Sequence, residues 1–212
     1  MNKHILNECF DKIYVITLKN SHRIDRIKNV LSDVEYELFY GADGEKLDIS
    51  TYRKNGSNLL RGQLGCAISH INIYKEIVKS NYNNVLILED DINILPNILN
   101  LKNYMDQLPN DWGLFYLGHD GVVLNNTFSQ NLCEINTNQP KTLHCTHAIA
   151  IRPWFAEKLI VLNKDLTYTA DGLLTEATLQ YGLKSYAAIP KLINPDFIDS
   201  IIGDLYKKYG HE

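Results

Sequence analysis

The chain has 212 residues, 45% of them hydrophobic and 22% charged, which is the balance of a folded globular protein and excludes a disordered one. That length buries an adequate core without disulfide or metal staples, and residues 1–212 read as a single domain. A formal net charge of -4 supplies no basic field for nucleic acid.

The opening stretch, MNKHILNECFDKIYVITL, lacks the apolar h-region of a secretion signal. No later stretch reaches the roughly 18 apolar residues of a membrane span. The expected location is therefore cytoplasmic, with at most peripheral contact at the inner face of a membrane. Cys9, Cys66, Cys133 and Cys145 form no CxxC pair, which points to reduced thiols and away from a zinc ribbon or a disulfide framework.

KIYVITL, 12–18, is short, continuous and β-branched, the pattern of a buried strand. In SHRIDRIKNVLSD, Ser21 can cap a helix whose apolar face is Ile24, Ile27, Val30 and Leu31. YELFYGADG reads as a second strand ending in a turn at Gly41 and Gly44, and the polar segment 51–62 as a mobile loop. From Gln63 to Lys79 the apolar residues recur at helical spacing. Residues 84–89 form a strand, Pro96 opens a helix to about Leu108, and 112–118 is another buried strand. The polar stretch 119–142 shows only short strand-like pieces. LHCTHAIAI, 143–151, reads as a strand, and helices follow from Pro153 to Leu162 and from Gly172 to Leu179, then a last strand at KSYAAIP. Alternating strands and helices predict an α/β domain with a mainly parallel central sheet flanked by helices, whose ligands bind at the carboxyl ends of the strands.

Glu89, Asp90 and Asp91 stand at such an end, directly after VLIL. On an extended chain Glu89 and Asp91 point to one side and Asp90 to the other. Two carboxylates on one side are half a cage for Mg²⁺ or Mn²⁺, as in enzymes whose DxD carboxylates bind a nucleotide-sugar diphosphate through a metal. A solvated acidic turn and a two-metal phosphohydrolase fit the same three residues.

YVITLKNSHRIDRI, GQLGCAISHINIYKEIV, VLILEDDI and CTHAIAIRPWFAEKLI occur in this order. Together they resemble glycosyltransferase family 25, the bacterial lipopolysaccharide and lipooligosaccharide galactosyltransferases and their collagen-modifying relatives, from about Ile13 to Pro190. The resemblance implies a GT-A-like fold, a UDP-sugar donor (UDP-galactose first), a divalent metal and an inverting mechanism. It makes 1–110 the nucleotide-sugar half and 111–212 the acceptor-side half. Thr17 stands where the family usually has Asn, and Gln63 where it often has Glu.

In that frame Glu89 and Asp91 are the expected metal or diphosphate ligands, with His147 a third; Asp90 contacts ribose or holds the turn. Thr17, Arg23 and Asp43 are placed near the nucleotide, Arg23 ahead of Arg26 as a diphosphate clamp. Gly65 allows a close backbone approach, and Ser69 and His70 can hydrogen-bond phosphate or sugar; a turn residue, a packed Cys66 and a core histidine are the plainer readings. His144 and His147 face opposite sides of a strand, so one of them faces the site. Asp171, at a helix start, is the expected general base, with Glu176 second and an N-cap the competing role. The expected reaction moves a hexose, most readily galactose, from a UDP-sugar to a hydroxyl of a cell-surface glycan or glycolipid. The alternatives are a metal-dependent phosphohydrolase and a non-catalytic sugar-nucleotide- or glycan-binding domain.

Overall fold

The computed structural model describes residues 3–119, 128–135 and 145–196. The predicted His144, most of 119–142 and the tail after Asp196 lie outside the described residues. A short helix, α1 (Ile5–Cys9), precedes β1 (Lys12–Thr17), α2 (Ile24–Val30) and β2 (Glu37–Tyr40). Then come α3 (Ile49–Lys54), α4 (Arg61–Lys79), β3 (Val85–Glu89), β4 (Ile92–Ile94) and α5 (Leu101–Met105). The remainder is β5 (Leu114–Tyr116), β6 (Leu132–Ile135), β7 (Ala148–Ile151), α6 (Pro153–Leu162), α7 (Ala170–Tyr181), β8 (Ser185–Ala188) and β9 (Ile193–Pro195).

Seven strands form one sheet in the order β2-β1-β3-β7-β5-β8-β6. The pairs β1–β2, β1–β3 and β5–β8 are parallel, while β7 runs against both β3 and β5, and β6 runs against β8. Five strands thus share one direction, which is the mainly parallel α/β sheet expected. β4 and β9 make a separate antiparallel pair that no sequence pattern announced.

Alternation along β3 divides the core. Leu86 and Leu88 join Val15, Ile27, Leu31, Leu101 and Tyr104 on the face covered by α1, α2 and α5. Val85 and Ile87 join Tyr14, Ile73, Tyr74, Ile77, Phe155 and Leu173 on the face covered by α4, α6 and α7. Helices therefore cover both faces, and the period-2 alternation of β3 continues into its acidic end: Glu89 emerges toward α4 and Asp90 toward α2.

Several element boundaries differ from expectation. The segment expected to be a loop, 51–62, is largely structured: Asp48 caps α3 by accepting from Ser50 N at 3.0 Å, and Ile49 and Tyr52 pack against the buried Leu59, Leu64 and Ala67. Arg53 then donates to Ser57 O, Asn58 Oδ1 and Leu59 O, tying down the turn before α4. Pro96 opens a 3₁₀ turn over Pro96–Asn100, and the α-helix proper is only α5. The strand expected over 143–151 is regular only from Ala148, because Cys145 has φ 78° and the chain bends at His147.

Candidate functional site

The carboxyl ends of β1 and β3 lie side by side, with Ile16 opposite Glu89. One residue on, Thr17 meets Asp90. Thr17 Oγ1 donates to Asp90 Oδ2 at 2.6 Å, Ser21 Oγ donates to the same oxygen at 3.0 Å, and Arg23 donates to Asp90 Oδ1 at 3.1 Å. Asp90 is 9% exposed, and both its oxygens are engaged by the protein. It ties the turn after β3 to the segment after β1. Arg23 also reaches Asp91 Oδ2 at 3.4 Å, so the guanidinium expected on a diphosphate lies against two carboxylates of the acidic triplet. Arg26 points away, donating to Ile92 O, Asn93 Oδ1 and Asp196 Oδ2. Ser21 caps no helix by its side chain; its hydroxyl accepts from Arg23 N and donates to Asp90.

On the other face, Glu89 Oε1 accepts from Thr146 Oγ1 at 2.6 Å and lies 3.2 Å from His70 Nε2. His70 is 1% exposed, and its Nδ1 lies 3.4 Å from the Tyr74 hydroxyl. Burial pushes the Glu89 carboxyl upward, but the hydrogen bond and charge of His70, with the Thr146 bond, hold it below its ordinary value. Asp91 has no such support. Burial and the charge of Glu89 push its carboxyl up to about 7, Arg23 only partly opposing them and Asp90 adding to them. Its Oδ1 is buried and makes no protein hydrogen bond.

Cys66 lies one helical turn before His70 on α4. Its thiol is pushed well above its usual range by burial and by the charges of Glu89, Asp171 and Asp91, while a bond with Thr146 opposes them. The charges of Glu89 and Asp91, at the end of β3, and of Asp171, in the first turn of α7, thus all act on this one thiol. Asp171 sits in the first turn of α7, but Thr169 is the N-cap: its Oγ1 accepts from Gly172 N at 3.1 Å and donates to Asp171 Oδ1 at 2.7 Å. Glu176 is engaged by Tyr168 Oη at 3.4 Å.

The remaining expected residues build the floor. Ser69 Oγ donates to Gly65 O at 2.6 Å and accepts from Ala42 N at 2.9 Å, holding the turn after β2 against α4. Gly65 permits a close approach, though of that turn: a Cβ there would sit 2.8 Å from Ala42 O and from Gly44 N. Gly65→Ala is expected to cost about 1–3 kcal/mol, since both obstructing atoms are backbone, read as a lower melting temperature; an unchanged melt would show that the turn is not fixed to α4. Asp43 caps the 3₁₀ turn Gly44–Lys46 through Glu45 N and pairs with Lys46 at 2.7 Å, which holds its carboxyl below its ordinary value. Gln63, where the resemblance favoured Glu, accepts from Leu60 N at 3.0 Å.

His147 is buried against Gly118, with Nε2 3.5 Å from Ile193 O, and the compact cluster of metal-type donors forms without it. Among the described residues that cluster is Cys66, His70 and Glu89, whose donor atoms all lie within 4.8 Å of one another. Thr146 and Cys66 were not among the expected site residues; the i, i+4 spacing of Cys66 and His70 was the one signal available for either. None of the four cysteines is in a disulfide. Two cavities of about 300 and 350 Å³ lie elsewhere, neither lined by any of the three carboxylates. Among the described residues no helix is long and apolar enough to cross a membrane.

The acidic end of β3 and the helix bearing GCxxSH, two of the segments that carry the resemblance, lie face to face through Glu89 and His70. The model of glycosyltransferase family 25 (LPS biosynthesis protein) matches residues 10–174, most of the chain, and the chain belongs to that family. The seven-stranded, mainly parallel α/β sheet described above is the fold class expected. Human procollagen galactosyltransferase 2 is 30% identical over 129 residues, which are 51% of this chain and 21% of that protein. The human inactive glycosyltransferase 25 family member 3 is 29% identical over 135 residues, 53% of this chain and 22% of that protein. The match thus spans about a fifth of the length of these curated relatives. Among solved structures, a glycosyltransferase involved in the glycosylation of the major capsid of PBCV-1 covers 92% of this chain and 99% of its own, with a TM-score of 0.47 and 8% identity.

Proposed function

We propose that this chain is an inverting hexosyltransferase that moves a hexose, galactose first, from a UDP-sugar to a hydroxyl of a glycan or glycolipid. The observation that carries this reading is the carboxylate pair at the carboxyl end of β3: Glu89, engaged by His70 and Thr146, and Asp91, whose buried Oδ1 makes no protein hydrogen bond. The residues fit a hard divalent cation. Asp91 presents a buried oxygen with no protein partner, and Asp91 and Glu89 offer the oxygen ligands that Mn²⁺ or Mg²⁺ prefer. Glu89 and Asp91 would hold the ion, which when bound neutralises charge on the leaving diphosphate.

The chain's own groups divide the remaining work. Thr17, Ser21 and Arg23 fix Asp90, so the turn holding Asp91 is rigid before substrate arrives. His70 and Thr146 keep Glu89 ionised. Asp171 takes the proton of the acceptor hydroxyl as its oxygen bonds to the anomeric carbon. The bond from that carbon to the diphosphate oxygen breaks on the opposite side, and UDP leaves with the electron pair.

The reading is tested by UDP release from a panel of UDP-sugars, with and without Mn²⁺ and acceptor. Metal-dependent release from one donor is expected, with slow donor hydrolysis when acceptor is withheld. An inactive relative at 29% identity makes a binding-only domain the second reading. UDP binding without turnover for any acceptor would favour that reading, and phosphate release from simple esters would favour a phosphohydrolase.

A further inference from the structure

We propose that Cys66, His70 and Glu89 form a site for a thiophilic divalent cation, of which Zn²⁺ is the type, and that filling it withdraws Glu89 from the hard-cation pair it makes with Asp91. The second half rests on the reading of Glu89 and Asp91 given above; the first half does not.

The site is built from two packed elements. Cys66 and His70 are four residues apart on α4, so both side chains leave the same face, one turn apart. Glu89 comes up beneath them from the end of β3. The three donor atoms lie within 4.8 Å of one another, and His70 Nε2 to Glu89 Oε1 is already 3.2 Å. With Zn–ligand bonds of about 2.0–2.3 Å, donors in a tetrahedral site are about 3.3–3.8 Å apart, so a set already within 4.8 Å closes on an ion by side-chain adjustment. Among the described residues no other group of three such donors is this compact.

The surroundings favour a ligand role. Tyr74 Oη meets His70 Nδ1 at 3.4 Å, which leaves Nε2 directed at Glu89. Nε2 and Oε1 face each other at 3.2 Å, a contact that an Nε2–H proton fills in the metal-free protein and that a metal ion would fill in its place. Thr146 orients Glu89 from the other side at 2.6 Å. Such outer partners fix ring and carboxylate orientation in metal sites. A thiol, an imidazole and one carboxylate are a zinc-type set with an open fourth position, whereas Mg²⁺ and Ca²⁺ select oxygen alone.

The metal-stripped full chain is titrated with Co²⁺. One equivalent is expected to produce the near-ultraviolet thiolate-to-cobalt absorption, removed by adding Zn²⁺ and lost in Cys66→Ser. His70→Ala is expected to weaken binding about tenfold or more. A second measurement needs no variant: one equivalent of Zn²⁺ should slow alkylation of Cys66 about tenfold or more relative to Cys9, mapped by peptide mass. An unchanged absorption in Cys66→Ser, or the absence of both the band and the alkylation protection, overturns the site. For the second half, Zn²⁺ is expected to abolish the rise in melting temperature that Mn²⁺ produces at pH 8; an undiminished Mn²⁺ effect with Zn²⁺ bound overturns it. None of these measurements involves turnover, so a failure of the hexosyltransferase reading would appear separately, in UDP release.

Discussion

Asp91→Asn is expected to melt at a higher temperature than the wild type at pH 8 when metal is absent, and to lose metal-supported UDP release. Asp91 sits in a turn, largely buried, with an oxygen no protein group meets. Burial and the neighbouring Glu89 charge raise its carboxyl from 3.8 to about 7. An unfolded chain releases that proton near 3.8, whereas the folded chain keeps it until about 7. Between those pH values the folded state binds more protons, so stability falls as pH rises through the window and is level above it. At about 1.4 kcal/mol per pH decade the full interval is worth at most about 4 kcal/mol, and loss of the charged contact with Arg23 lowers the net gain of the Asn variant to roughly 2 kcal/mol. The difference in melting temperature should be small near pH 4.5 and largest at pH 8.

Mn²⁺ reverses the order. It should raise the melting temperature of the wild type at pH 8 and leave the variant unmoved, because a neutral amide is a poorer ligand than a carboxylate. UDP release should drop by a factor on the order of 10² or more, the loss typical of removing one stabilising contact to a developing anion. A variant no more stable than the wild type at pH 8 would mean that Asp91 is not the strained charge described. A variant that keeps Mn²⁺-dependent release would remove Asp91 from the metal pair.

The conflict at Asp91 is partly legible in the sequence. VLIL followed by three acids announces a buried strand that ends in a charge cluster, and period-2 alternation sends Glu89 and Asp90 to opposite faces. The structure keeps that division, with α4 receiving Glu89 and the segment between β1 and α2 receiving Asp90. The bounds of α6 are legible because Pro153 is favoured at a helix start and the apolar run ends at Leu162.

What escapes the sequence depends on contacts between distant segments. A regular strand through 143–151 would carry His147 to the site, but the positive φ of Cys145 and the bend at His147 break the alternation. That break delivers Thr146 to Glu89 and buries His147 against Gly118. No local pattern encodes such a reversal. The reading of 51–62 as a loop misses Asp48 as a cap, three residues before the segment begins, and misses the burial of Leu59, which follows from packing against α4. The antiparallel direction of β7 is likewise a matter of topology, set by where the chain returns after residues with no strong pattern of their own.

Asp171→Asn is the sharper test of chemistry, because the substitution changes little else. Asp171 Oδ1 accepts from Thr169 Oγ1 at 2.7 Å and from Gly172 N at 2.9 Å, and an Asn carbonyl oxygen can accept both. The cap of α7 belongs to Thr169, so the helix keeps its start, and a change in stability under about 1 kcal/mol is expected from the weakened helix-dipole interaction. An amide cannot take a proton from an attacking hydroxyl. Turnover should therefore fall about 10²–10⁴-fold while the affinity for UDP and Mn²⁺ holds, since Glu89 and Asp91 are untouched. Retained turnover with normal acceptor dependence would transfer the base to another group, and Asp171 would then be a charge that biases Cys66 and Tyr116 without handling the proton. Loss of UDP binding together with turnover would instead place Asp171 in donor recognition. The separation of kcat from binding is thus what decides whether the third carboxylate whose charge acts on Cys66 is the base or part of the cradle.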